Sequence, residues 1–196
     1  MSEGSLTSVK PRQNLSRAEI ADIFGHPPVL NTENREAYDE LMTQLTLEWK
    51  PQNITESMYV RDIADISWEI FRHRRAIANL FAISFKTALA AVLTDVLPNF
   101  NYSRVQGLAQ AWFEGPQKQE KVKAQLHKYG LTAEAIVAQT YVLRRDELDK
   151  LHRLLAVAEA RRDAIIRNFN EYRAMSSLGQ KPVVEAEQVA LVPNSA

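Results

Sequence analysis

The apolar positions in the last third of this chain recur at alternating steps of three and four. Leu148, Leu151, Leu155 and Ala158 lead, past Arg162, to Ile165, Phe169 and Tyr172. A 3.5-residue period held for about three and a half heptads is the signature of a helix packed along its whole length. Residues 132–175 contain neither Gly nor Pro, so the pattern predicts one unbroken helix of about 44 residues, a rod of roughly 65 Å. Such a rod needs a partner of similar length.

Residues 53–97 supply one. Asn53 and Glu56 form a capping box, and no Gly or Pro follows until Pro98. Ile63, Ile66, Ile70, Ile77, Phe81, Ala88 and Val92 make one seam, widened by Val60, Phe71, Phe85, Leu89 and Leu93. The stretch 78–97 is apolar on most sides and calls for more than one covering helix.

Shorter runs fill in the rest. Ser16 and Glu19 box the start of a helix through Phe24 that Gly25 ends, with Ile20, Ile23, Phe24, Val29 and Leu30 as a hydrophobic plug. This stretch has the look of the first helix of a helix-turn-helix, but His26, Pro27 and Pro28 leave no room for a recognition helix. Asn31 or Thr32 can cap a helix over 33–49, striped by Tyr38, Leu41, Met42, Leu45 and Trp49 and stopped by Pro51. Ser103 and Gln106 box another helix, whose Trp112 is expected in the core with Val105, Leu108, Ala109 and Phe113. Gly115 and Pro116 end it and open a helix over 117–129, which Gly130 closes before Thr132 caps the second rod.

These lengths predict an all-α fold: a long antiparallel helical hairpin of 53–97 and 132–175. Two short helices thicken its closed end and two more pad the open end. The domain spans 16–176, between a flexible segment 1–15 and a flexible tail 177–196. With Asn53 opposite Met175, residues 73 and 155 face each other, and the polar interruptions His73, Arg74 and Arg162 set the register.

Composition narrows the function classes. Lys+Arg and Asp+Glu are 24 each, so no global field draws the chain to nucleic acid or to an anionic membrane. The absence of cysteine removes thiolate chemistry and suits the cytoplasm. Residues 1–15 lack the apolar core of a signal peptide. The nearest thing to a membrane span, 78–97, carries Asn79, Ser84, Lys86, Thr87 and Asp95, and one central Lys costs ~2.5–3.5 kcal/mol on insertion. It reads as a buried helix, with no membrane partner. Phosphate-binding loops, GxSxG, HExxH and CxxC are all absent, so no cofactor, metal or catalytic residue is assigned.

Three groups of side chains remain as candidates. Glu69 and His73 on the first rod, with Asp149 and His152 on the second, have some of the spacing of a bundle metal site. Arg72, Arg74, Arg75, Arg144, Arg145 and Arg153 surround them and repel a cation, which favours plain ion pairing. Lys118, Lys121, Lys123 and Lys128 form one basic patch that could touch phosphates. The third group is an ion-pair set of Asp62, Asp65, Glu69, Arg74, Glu159, Arg161 and Arg162. In the antiparallel register, Arg162 is expected to reach Asp62 or Asp65, and Arg74 an acidic group on the second rod.

The run NREAYDELM, then VRDIADISWEIFRHRR, then AEARRDAIIRNFNEYR resembles a group of uncharacterised bacterial all-helical proteins. That group pairs an AYDxLL helix, a VRDxxDxxWEIxRxRR helix and a late AExRR helix. The similarity covers about residues 20–175 and rests on Asp62, Asp65, Trp68, Glu69, Arg72, Arg74, Arg161 and Arg162. It implies the helical architecture and no activity. The sequence therefore points to a non-catalytic interaction or scaffolding protein that associates with itself as a homo-oligomer. A nucleic-acid-associated accessory protein is the alternative, and a metal-binding bundle enzyme comes third.

Overall fold

A computed structural model describes residues 25–97 and 101–179. The helix expected over 16–24 and the segment beyond 179 lie outside the described residues. Six helices follow one another, with no strand among the described residues: α1 (Arg35–Trp49), α2 (Ile54–Val96), α3 (Tyr102–Ala111), α4 (Pro116–His127), α5 (Ala133–Leu143) and α6 (Arg145–Gly179). The chain is all-α.

Four of the helices start on a short polar cap, though not always the expected one, and α4 starts instead on Gly115 and Pro116 with no side-chain cap. Asn34, and neither Asn31 nor Thr32, caps α1 by accepting from the Ala37 amide at 3.0 Å. Asn53 accepts from the Glu56 amide at 3.0 Å, and Glu56 reaches back to the Gln52 amide at 2.9 Å. Asn101, two residues ahead of Ser103, caps α3 through the Arg104 amide at 3.1 Å. In each corrected case Asn wins because its carbonyl reaches the third residue onward from an extended backbone. Lys50 closes α1 in the left-handed region, with φ 45°, and Pro51 then prevents continuation.

The long helix α2 is unbroken over its 43 residues. The second rod is not: Arg144 (φ −122°, ψ 27°) leaves helical geometry and divides it into α5 and α6. Nothing in the local sequence breaks a helix there. The displacement has a tertiary cause, because the Arg144 guanidinium turns to donate through Nε to the fully buried Ser84 hydroxyl at 3.0 Å. The break is a kink, since Arg144 still donates to Thr140 and Leu148 still donates to Arg144. At its far end α6 runs through to Gly179, so residues 177–179, expected in the tail, are helical.

Packing between α2 and the second rod is antiparallel and close to the expected register. Glu56 meets Arg173, Glu69 meets Arg161, and Ser84 meets Arg144. Ile66 and Ile70 pack on Ala158, with Leu155 and Ile165 alongside. At the open end Val60 and Ile63 close over Phe169, whose ring stacks with those of Tyr59 and Trp49. Complete burial of such an aromatic stabilises by about 2–3 kcal/mol.

At the closed end, Ala88, Leu89, Val92, Leu93 and Leu97 of α2 meet Val105 and Ala109 of α3, Val122 and Leu126 of α4, and Ile136 of α5. Trp112 is only partly buried at the margin of this core, 5.2 Å from the Phe85 ring, and Phe113 is exposed. The expected core placement is met in part, because α3 ends at Ala111 and its apolar stripe runs off the helix. Full cover for 78–97 is not met either. By length and composition α2 could cross a membrane, and only 28% of its most apolar 18-residue window is buried, so the stretch expected to be a buried helix is largely uncovered.

Candidate functional site

The densest polar constellation lies where the segment before α1 crosses α2. Trp68, Arg72 and Arg75 share one stripe of α2, spaced four and three apart, and Glu33 serves all three. Its carboxylate accepts from Trp68 Nε1 at 2.8 Å, from Arg72 Nε and Nη2 at 2.9 Å each, and from Arg75 at 3.3 Å. It also accepts from the Leu30 amide at 3.0 Å. The bidentate Arg72 pair is the main reason the Glu33 carboxyl is held at about 2, well below its usual 4.5. Glu33 in turn raises the affinity of Arg72 for its proton. Arg72 also donates to the Pro28 carbonyl at 2.5 Å, and Arg75 lies over the Trp68 ring at 5.2 Å.

Beside this hub, a cleft of about 300 Å³ is lined by Pro28, Asp62, Asp65, Ile66, Glu69, Arg72, Arg161 and Ile165. Its size is at the lower limit for a small-molecule site, and most of its charges already have partners. Asp65 accepts from the Tyr38 hydroxyl and from Arg61 Nε at 3.0 Å. Burial, reinforced by that hydrogen bond, raises the Tyr38 phenol above its ordinary value. Glu69 lies 3.6 Å from Arg161 and 3.5 Å from His73. Asp62 is the exception, with no ion pair or hydrogen bond among the described residues. Partial desolvation, and then the charge of Asp65, raise its carboxyl above the usual range, against the pull of Arg61 and Arg161.

Of the expected cross-rod pairs, Arg74 donates to Glu159 at 2.7 Å, as the register requires. Arg162 does not reach Asp62 or Asp65. It turns along its own helix to Asp163 at 3.1 Å, and Arg161 makes the crossing to Glu69 instead. The height along the rods is right and the rotation about them is off by one residue, or about 100° of helix. Asp65 is in any case filled by Tyr38 and Arg61.

The metal-like foursome is not assembled. His152 is exposed and Asp149 turns to Arg153 at 4.0 Å. Among the described residues no group of three or more His, Asp or Glu could hold a metal ion. His73 Nε2 is buried and makes no hydrogen bond among the described residues. On α4, Lys118 is tied to Glu114 at 2.5 Å and Lys123 to Glu120 at 2.6 Å, so Lys121 and Lys128 are the exposed cations without such a tie.

Three polar groups central to the structure have larger parts than the sequence assigns them. Glu33 reads as a first-turn acid, and only the Trp68, Arg72 and Arg75 stripe, which demands one anion, hints at its part. Glu56 reads as a cap, yet its buried carboxylate also receives Arg173 at 2.8 Å. Arg173 donates as well to the carbonyls of Trp49 and Lys50 and lies 4.4 Å over the Phe169 ring. Tyr38 is the third, its hydroxyl spent on Asp65 across 27 residues of chain.

No protein-family model, no curated protein and no solved structure matches the chain.

Proposed function

We propose that this chain is a non-catalytic helical scaffold whose business is binding protein, first of all a second copy of itself. The observation that carries the reading is the shortage of cover over its most apolar helices. The most apolar window of α2 is only 28% buried, and Ile83 within that helix is 72% exposed. Val137, Tyr141 and Val142 on α5, and Leu154 and Val157 on α6, are large apolar side chains also left on the surface. Single exposed apolar residues are ordinary, whereas several on adjacent turns mark an interaction face. The charged groups of the cleft support the same reading, because all but Asp62 are engaged in pairs or hydrogen bonds that hold the chain's own elements together.

Sedimentation velocity of the purified chain from about 1 to 300 µM tests this, over the range expected for a weak interface. The sedimentation coefficient should rise with concentration toward that of a dimer. A single monomeric species throughout would remove the proposal. The rival, a nucleic-acid accessory role, rests on the lysines of α4 and predicts salt-dependent retention on DNA that is lost in the Lys121→Ala, Lys128→Ala double variant.

A further inference from the structure

Helix α5 buries only Ile136 and Thr140 completely, on the side facing α2. Its opposite side carries Glu134, Val137, Ala138 and Val142, Tyr141 lies at the edge of that side with its ring 5.0 Å from that of Phe81 on α2, and Arg145 extends the stripe just past the kink; all six are exposed. Val137 is 41% exposed, Tyr141 48% and Val142 69%. The five on α5 are spaced three, one, three and one, which places them on one helical face, and Arg145 follows Val142 by three beyond the kink. The face is nearly free of charge along its middle and carries one anion at its start and one cation at its end. Neither charge is consumed by an ion pair among the described residues. Glu134 accepts only from the Thr132 hydroxyl at 2.6 Å, and Arg145 makes no ion pair among the described residues.

We propose that α5 packs antiparallel against α5 of a second copy about a twofold axis, a pairing that rests on the self-association reading above. The stripe is its own complement. Turned end for end about a point between Gln139 and Thr140, Glu134 comes opposite Arg145 of the second copy, Val137 opposite Val142, and small Ala138 opposite large Tyr141. An isologous contact requires this kind of reciprocity. A parallel pairing would put Glu134 against Glu134 and Arg145 against Arg145, so charge selects the antiparallel arrangement. Val137, Tyr141 and Val142, left exposed on adjacent turns, form a contiguous apolar patch rimmed by polar residues. With a polar rim the area stays below the ~800 Å² per partner of a tight complex, so the dimer belongs in the micromolar range.

The test compares the dimerisation constants of the full-length chain and three variants by sedimentation equilibrium, with circular dichroism as a check of fold. Val142→Asp should weaken the dimer at least tenfold. Glu134→Arg should weaken it severalfold by facing Arg145 with a like charge, and Glu134→Arg combined with Arg145→Glu should restore it to within about twofold of the parent. Restoration by the swap does not depend on the fate of Val142→Asp. Dimers of unchanged strength in all variants would overturn this face and leave self-association standing on another. A parent that stays monomeric, or that instead partitions as a monomer onto phosphatidylcholine vesicles, would overturn both.

Discussion

At the closed end of the helix pair, side chains from α2, α3, α4 and α5 form one aliphatic cluster with no ion pair inside it. At the open end the apolar clusters are smaller, and three carboxylates hold the elements together. Glu33 pins the segment before α1 to α2, Asp65 pins α1 through Tyr38, and Glu56 pins the end of α6 through Arg173. The difference follows from what each region has to work with. Four helices converge at the closed end and can exclude water by packing alone. Among the described residues the open end gathers two long helices, one short one and the segment 25–34, of which Val29 packs on Tyr38 and Trp68 while Leu30 is 52% exposed. There, direction-specific hydrogen bonds supply the register that packing supplies elsewhere. One end should therefore respond to lost volume and the other to lost charge.

The largest effect is expected at the closed end. Leu126→Ala removes a fully buried side chain and should destabilise by about 2–5 kcal/mol, with denaturant midpoints shifting equally at pH 7 and pH 3.5. Glu33→Gln should cost about 2 kcal/mol at pH 7, because Arg72 loses a bidentate partner at a carboxylate that is only 7% exposed. Here the cost depends on pH. A carboxyl titrating at about 2 when folded and near 4.5 when unfolded stabilises fully above about 4.5 and loses that contribution as the pH falls toward 2. The gap between parent and Glu33→Gln should accordingly close over that interval, while the Leu126→Ala gap stays open. Parallel behaviour of the two variants would erase the distinction between the ends.

Much of this division was legible in the chain before any coordinates. The 3.5-residue seams gave both rods and their antiparallel heights, since lengths and breakers constrain where a hairpin can turn. What escaped were features decided by rotation and by tertiary demand. Arg161 and Arg162 are neighbours in sequence, and a phase error of one residue exchanges which of them crosses to α2. The kink at Arg144 has no local signal, because its cause is a buried hydroxyl on Ser84, 60 residues away. The part played by Glu33 required knowing that residues 28–33 fold back over Trp68 and Arg72, and no periodicity in that short segment encodes it.

Next in size among the expected effects are the two arginines on α6. Arg173→Ala should destabilise by about 1.5–3 kcal/mol, as Glu56 is left buried without its cation and the stem no longer covers Phe169. Arg162→Ala should change stability by no more than about 0.5 kcal/mol, because its partner Asp163 is the adjacent, largely exposed residue. Thermal unfolding of the pair measures the contrast. A large loss from Arg162→Ala would mean that this residue crosses between the rods after all.

The smallest expected effect has the opposite sign. Asp62 faces a cleft whose other carboxylates are partnered, and its own charge is opposed by partial desolvation and by Asp65. A carboxyl raised above its unfolded value is better tolerated when protonated. Its stabilising contribution is present below the unfolded value of 3.8 and is lost as the pH rises through the higher folded one. At pH 7 the charged form is therefore a small liability. Asp62→Asn keeps the shape and removes the charge, so it should raise stability by up to about 0.5 kcal/mol, a gain held down by the exposure of the side chain. The gain should shrink to nothing as the pH is lowered through the acid range, where the parent is neutral as well. Melting curves of parent and variant at pH 7 and pH 3.5 measure it. A variant less stable than its parent at pH 7 would mean that the attraction of Arg61 and Arg161 outweighs desolvation, making Asp62 a fourth staple of the open end.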